Sequence, residues 1–344
     1  MDFWFRRCKI LHNVALEHKI SYYKRTNKFI GAYDQKKELK DIKIDDPTWA
    51  EIPNKSLQDV ILNIDKSFKS FFNKKSKFPK FKSQLNSIGF VRTDVRLKDN
   101  KIYIPKIKTP IKYKDKGIIE NGYTSIRLKK EHDKYYLLFN YEYGIEETMN
   151  NGDIIGIDLG LKSLYTNSNG YSHKRFSKKL IKKYNNRISE LNNSLSTKKG
   201  GSKKRRKVIY QLNKAYTSLK NTKKDYLHKS ANKLLECDED IIVVGDIKVQ
   251  KIISKSNKGL IKGFYNSSLG IFKEMLEYKG KRKNKIVKFV NERYTSKTCS
   301  SCGNLKHNLV LSDRWYECNK CDNSIDRDVN AAINMKLLGQ SIPI

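Results

Sequence analysis

The chain has 344 residues, room for two or three domains and a sizeable core. Lysine and arginine number 72 against 36 aspartates and glutamates, a net charge of +36 with a pI near 9.8. A surface this basic repels itself until a polyanion neutralises it, and nucleic acid is the expected polyanion. No apolar run nears the roughly 20 residues that span a bilayer, and no secretory leader is evident, so a cytoplasmic, nucleoid-associated protein with no membrane partner is expected.

In chain order, residues 1–87 read as a helical region. Ser56-x-x-Asp59 reads as a capping box that opens a helix with the stripe Leu57, Val60, Ile61, Ile64, Phe68, Phe71 and Phe72. Beyond it, Lys77-Phe78-Pro79-Lys80-Phe81-Lys82 alternates cations with rings around a proline. Lys77, Lys80 and Lys82 can pair with phosphates there, while the rings stack on bases or anchor the loop. Residues 88–148 change to strand periodicity (Ile102 to Ile104, Ser125 to Leu128, Tyr135 to Tyr143), punctuated by Gly89, Gly117, Gly122 and the 129–134 turn; a small antiparallel sheet or barrel is expected. Gly144 to Asp153 then reads as a linker.

Residues 149–344 read as α/β. Ile154-Ile155-Gly156-Ile157-Asp158 is a β-branched strand that delivers a carboxylate beside glycines, where backbone and ligand can approach closely. A buried strand ending in Asp opens the two-metal site of ribonuclease-H-like folds, and also opens sugar-kinase and actin-like ATPase domains. A helical pair follows, broken at Gly200-Gly201. Its second helix carries Lys203, Lys204, Arg205, Arg206 and Lys207, a basic face suited to a nucleic-acid backbone. Ile241 to Gly245 is a second buried strand, Leu260 to Lys279 a helix, and Ile286 to Val290 a third strand.

Cys299-x-x-Cys302 and Cys318-x-x-Cys321 stand fifteen residues apart, the spacing of a four-thiolate zinc ribbon, which is structural because four thiolates leave zinc no open position. Asp326-Arg327-Asp328-Val329-Asn330-Ala331-Ala332 follows; an acidic residue there is ordinarily an N-cap.

Taken together, the Gly-Ile-Asp158-Leu-Gly string, the Ile-Ile-Val-Val strand, Tyr294 to Gly303, the second CxxC and the Asp-Arg-Asp-x-Asn-Ala-Ala block resemble the TnpB family of transposon-encoded, RNA-guided nucleases related to type V CRISPR effectors. The resemblance implies an RNase H-like (RuvC) domain with the zinc ribbon (294–324) inserted before its last helix, preceded by a helical plus β-barrel recognition region. It also implies a guide RNA and target double-stranded DNA as partners, and Asp158 and Asp328 as catalytic carboxylates on Mg2+, with Asp326 the lesser candidate. Two departures stand out. The family's second strand usually reads Val-Val-Glu-Asp-Leu, with a catalytic Glu; here Gly245 takes that place, and Asp246 points to the opposite face. Phe5 to Lys9 already resembles the first helix, so the N-terminus looks shortened. The expectation is therefore a guided binder with a weak or vestigial Mg2+ site and impaired cleavage, Gly245 leaving room for a restored glutamate. The alternatives are an active endonuclease that recruits another carboxylate, or a non-catalytic zinc-ribbon remnant.

Overall fold

A computed structural model describes residues 1–113, 123–132, 134–140, 142, 144, 152–247, 268–310 and 313–341. The chain divides into two compact units, Met1–Gly144 and Ile145–Ile344. Gly117, Gly122, Asp133, Tyr141, Tyr143, most of the expected linker and the Leu260 end of the expected helix lie outside the described residues.

The first unit opens with helices α1 (Asp2–Thr26), α2 (Ala32–Lys37), α3 (Leu39–Asp45) and α4 (Asn54–Phe72). Its described strands, β1 (Ser87–Val91), β2 (Arg96–Lys98), β3 (Lys101–Tyr103), β4 (Ile111–Lys112), β5 (Ser125–Glu131) and β6 (Lys134–Asn140), form two antiparallel sheets ordered β1-β5-β6 and β2-β3-β4. The α4 stripe buries Leu57, Val60, Ile61, Ile64 and Phe68 in one core with Trp4, Leu16, Ile88, Phe90, Ile102, Ile126 and Leu128, as its three-four spacing dictates. The capping box does not form. Pro53 occupies the N-cap position, and Ser56, already inside the helix, donates from Oγ to the Gly89 carbonyl at 2.9 Å. The Asp59 carboxylate accepts from Gly89 N at 3.1 Å and Arg127 Nη2 at 3.2 Å. Both side chains serve buried strand groups that would otherwise lack partners, a larger demand than that of an exposed helix end.

The second unit is built on one sheet. Its elements are β7 (Ile154–Leu159), β8 (Ser163–Asn167), β9 (Ser172–Lys174), α5 (Lys178–Ser196), α6 (Lys203–Leu234), β10 (Ile241–Gly245), α7 (Leu269–Arg282), β11 (Ile286–Val290), the ribbon strands β12 (Trp315–Glu317) and β13 (Ser324–Asp326), and α8 (Arg327–Gln340). The sheet order is β11-β10-β7-β8-β9; β7, β8 and β9 are antiparallel, while β10 and β11 continue the sheet parallel to β7. An antiparallel trio extended by two parallel strands is the RNase H-like arrangement. Strand alternation sends Ile155, Ile157, Leu159, Ile242 and Val244 to one face, where Leu227, Ala231 and Leu234 of α6 and Phe272, Met275 and Leu276 of α7 cover them. Ile241, Val243 and Val290 point the other way and pack on Met335 of α8. Among the described residues no helix is long and apolar enough to cross a membrane.

Helix α8 lies directly on β7. A Cβ built on Gly156 would stand 1.9 Å from the Ala332 carbonyl oxygen and 2.5 Å from Lys336 N. Both obstacles are backbone, so no rotamer change relieves them. Gly156→Ala is expected to lower stability by about 3 kcal/mol and Tm by roughly 6–12 °C. An unchanged thermal melt would mean that α8 is not seated as described.

Candidate nuclease centre and metal site

The alternation that turns Gly156 toward α8 turns Asp158, two residues on, toward the same layer. There it meets the start of α8. Asp326 is the N-cap of that helix: its Oδ1 accepts from Asp328 N at 2.8 Å and Val329 N at 3.2 Å. Its Oδ1 is thus committed to the cap. The carboxylate of Asp328, in the first turn, accepts no hydrogen bond from any described residue, nor does that of Asp158. Burial, then the negative charges of Asp328 and Glu292, raise the Asp158 pKa well above the carboxylate range, against the pull of Arg327. Partial exposure of Asp158 tempers this effect.

At Gly245 the expected room is taken up by the ends of two flexible side chains. A built Cβ would lie 2.9 Å from Met335 Cε, 3.0 Å from Glu292 Oε2 and 3.3 Å from Glu292 Cβ. A glutamate restored at 245 would have to displace the Glu292 side chain. Asp246 ion-pairs with Lys273 on α7. Glu292 had no place in the sequence reading. It lies outside any strand pattern and no motif marks it; the signal that could have found it is its position two residues beyond Val290, where the strand parallel to the one that ends at Gly245 itself ends. Burial pushes its carboxyl up to about 7, with Lys273 opposing and Asp246 adding to the rise.

The second half of the Asp-Arg-Asp-x-Asn-Ala-Ala block fastens α8 to the ribbon. Asn330 Nδ2 donates to the Thr298 carbonyl at 2.7 Å, and its Oδ1 accepts from Ser300 N at 3.0 Å. Asn334, one turn on, donates to the Thr295 carbonyl at 2.8 Å and the Thr298 carbonyl at 2.7 Å. Arg327 Nη1 donates to the Val310 carbonyl at 2.8 Å. The ribbon closes around buried Cys299, Leu309 and Tyr316. The sulfurs of Cys299 and Cys321 lie 3.7 Å apart and those of Cys302 and Cys318 3.5 Å apart, and all four fall within 4.8 Å of one another. Four thiolates on one tetrahedral ion stand about 3.8 Å apart, so the spacing of the four cysteines fits a bound metal ion. The acidic groups are more widely spread: among the described residues, no three carboxylates come within that mutual distance.

The basic candidates separate. Lys77, Lys80, Lys203, Lys204 and Lys207 are exposed. Lys82 is exposed as well, and its backbone donates to Asn13 Oδ1 at 2.8 Å and accepts from Asn13 Nδ2 at 3.0 Å. Phe78 stands edge-on to Phe68 and Phe71 and so anchors this loop, while Phe81 stays exposed. Arg205 is occupied structurally, donating to the Leu195 and Lys198 carbonyls at the end of α5, and Arg206 donates to the Gly201 carbonyl at 3.1 Å.

Comparison with known proteins agrees. A family model described as "Cas12f1-like, TNB domain" matches residues 270–335, and one described as "Probable transposase" matches residues 125–255. "Putative RNA-guided DNA endonuclease InsQ" of Escherichia coli is 22% identical, over 97% of this chain and 87% of its own length. The chain belongs to the TnpB family. A "Putative RNA-guided DNA endonuclease" of Streptomyces pristinaespiralis is 24% identical over 84% of this chain and 72% of its own length. A solved CRISPR-Cas12f ternary complex aligns loosely, with a TM-score of 0.42 and 18% identity over 96% of this chain and 79% of that one.

A carboxyl with a raised folded-state pKa is better neutral. Ionising Asp158 therefore costs folding free energy, a cost that appears above its ordinary value of 3.8 and grows as pH rises toward the folded value. Asp158→Asn is neutral at every pH. In buffer without added divalent ions it is expected to melt above wild type at pH 7.5, by about 2–4 °C for each kcal/mol relieved, with the gap closing toward pH 4. Wild type melting at or above the variant at pH 7.5 would contradict this crowding of charge.

Proposed function

We propose that the chain is an RNA-guided DNA endonuclease: it holds a guide RNA on its basic surfaces, binds the double-stranded DNA that the RNA specifies, and hydrolyses it at a Mg2+-dependent centre built on Asp158 and Asp328. The convergence of a strand-end Asp and a first-turn Asp carries this reading, since neither has a protein donor to neutralise it among the described residues. Hard carboxylate oxygens in a partly open setting suit Mg2+, which polarises the phosphate and lowers the pKa of a bound water. In the hydrolysis the water oxygen bonds to phosphorus as the phosphorus–oxygen bond to the leaving sugar oxygen breaks, and a proton reaches that oxygen through solvent. The family's endonuclease names and the charge of +36 support the choice of partners. Gly245, taken alone, supports the other reading, a protein that occupies DNA without cutting. The Glu292 side chain against Gly245 favours the cutting form.

The reading is tested on full-length protein purified with its RNA. It is expected to retain a discrete RNA at moderate salt and to cut a matching duplex in Mg2+. Asp158→Ala should lose at least about a hundredfold of the cutting rate while binding the duplex as tightly as wild type. RNA-dependent binding with no cutting by wild type would leave the binder reading, and loss of discrete RNA would remove both.

We propose zinc as the ion of the ribbon, because four thiolates in a closed tetrahedron select it over hard cations. The backbone N–H of Lys320, on the Cys318 sulfur, helps hold that thiol below its ordinary range and ready to bind. Elemental analysis is expected to find about one zinc per chain, and Cys318→Ser to lose most of it. Zinc content unchanged in the variant would overturn the assignment.

A further inference from the structure

Strands β10 and β11 run parallel with Gly245 opposite Val290, and Asp246 N donates to the Val290 carbonyl at 2.7 Å. Beyond Val290 the chain passes over the end of β10, and Glu292 falls on the side that Val290 and Gly245 share. Its side chain lies where a side chain at 245 would begin, with Oε2 3.0 Å and Cβ 3.3 Å from the built Cβ. The Glu292 side chain and a side chain at 245 would therefore compete for one space.

We propose that Glu292 is the metal-ligating carboxylate that β10 does not supply, completing the centre with Asp158 and Asp328 from the end of the neighbouring strand. This assignment rests on the nuclease reading above. Three further observations support it. Glu292 belongs to the same electrostatic group as the two aspartates, its charge acting directly on Asp158. Its carboxylate has no hydrogen-bond donor among the described residues, and the nearby Lys273 is committed to Asp246. Its backbone is held in the frame of the other ligands: the Glu292 carbonyl accepts from Thr295 N at 3.2 Å and Thr295 Oγ1 at 2.8 Å, and the Thr295 carbonyl in turn accepts from Asn334 on α8, the helix that carries Asp328. A ligand shell needs such fixed supports, because a carboxylate free to rotate loses affinity for the ion. A purely structural Glu292 would be expected to bond to a donor, and none of the described residues provides one.

The test uses the zinc-loaded full-length chain and two readouts. Mn2+ binding is followed by electron paramagnetic resonance on RNA-free protein, and guided cleavage on the RNA complex. Glu292→Gln is expected to weaken Mn2+ binding at least about tenfold and to slow cleavage about 10^2–10^3-fold, with guided DNA binding unchanged. The paired exchange Gly245→Glu with Glu292→Ala, which moves the carboxylate back to β10, should recover Mn2+ binding and part of the cleavage. If Glu292→Gln binds Mn2+ and cuts like wild type, the assignment is wrong and the nuclease reading stands. If wild type binds guided DNA but neither Mn2+ nor the substitution has any effect, both the assignment and the nuclease reading fall. If guided binding itself is missing, the guide reading falls while the Mn2+ titration still decides the role of Glu292.

Discussion

The seating of α8 on β7 is the contact on which the second unit depends. It is unusually close, because Gly156 places no atom between the strand and the helix backbone. A helix at ordinary distance would hold Asp328 farther from the strand end that carries Asp158. Backbone-to-backbone closeness therefore turns a sheet and a helix, each stable for its own apolar reasons, into a pair of facing acids. Those acids repel, and burial first and that repulsion second raise the Asp158 pKa. The fold holds them together through packing and hydrogen bonds elsewhere, and a bound cation would relieve the strain.

The ribbon is the second support. It is remote in sequence from Asp158, yet through Asn330 and Asn334 it sets where α8 begins, and through Thr295 it sets the path of the segment that carries Glu292. A closed thiolate site has no catalytic position, but a metal there would stiffen the loop that both asparagines grip. The ribbon and the acidic end of α8 are thus linked through ordinary hydrogen bonds: the cysteines organise the loop, the loop organises the helix, and the helix brings its carboxylate toward the strand.

Much of this was legible in the chain. The β-branched strands at 154 and 241, the helical stripe of α4 and the cysteine spacing each obey a local period or spacing that the sequence displays directly. What escaped was decided by contacts between distant segments. Ser56 and Asp59 have the look of a cap, yet a strand thirty residues on makes the stronger claim on their hydrogen bonds. Arg205 reads as one of five cations on a face, but the exposed carbonyls at the end of α5 engage it. Gly245 reads as a missing side chain. That it is a filled space follows from the register of β10 against β11, which no local pattern encodes.

The central claim is that three carboxylates from three separate elements meet on one ion-binding centre. A crystal structure of the full chain soaked in Mn2+, with the manganese located by anomalous scattering, tests it most directly. Manganese is expected within bonding distance of Asp158, Asp328 and Glu292 together. Manganese held by the two aspartates alone, with the Glu292 carboxylate turned away to Lys273, would contradict it.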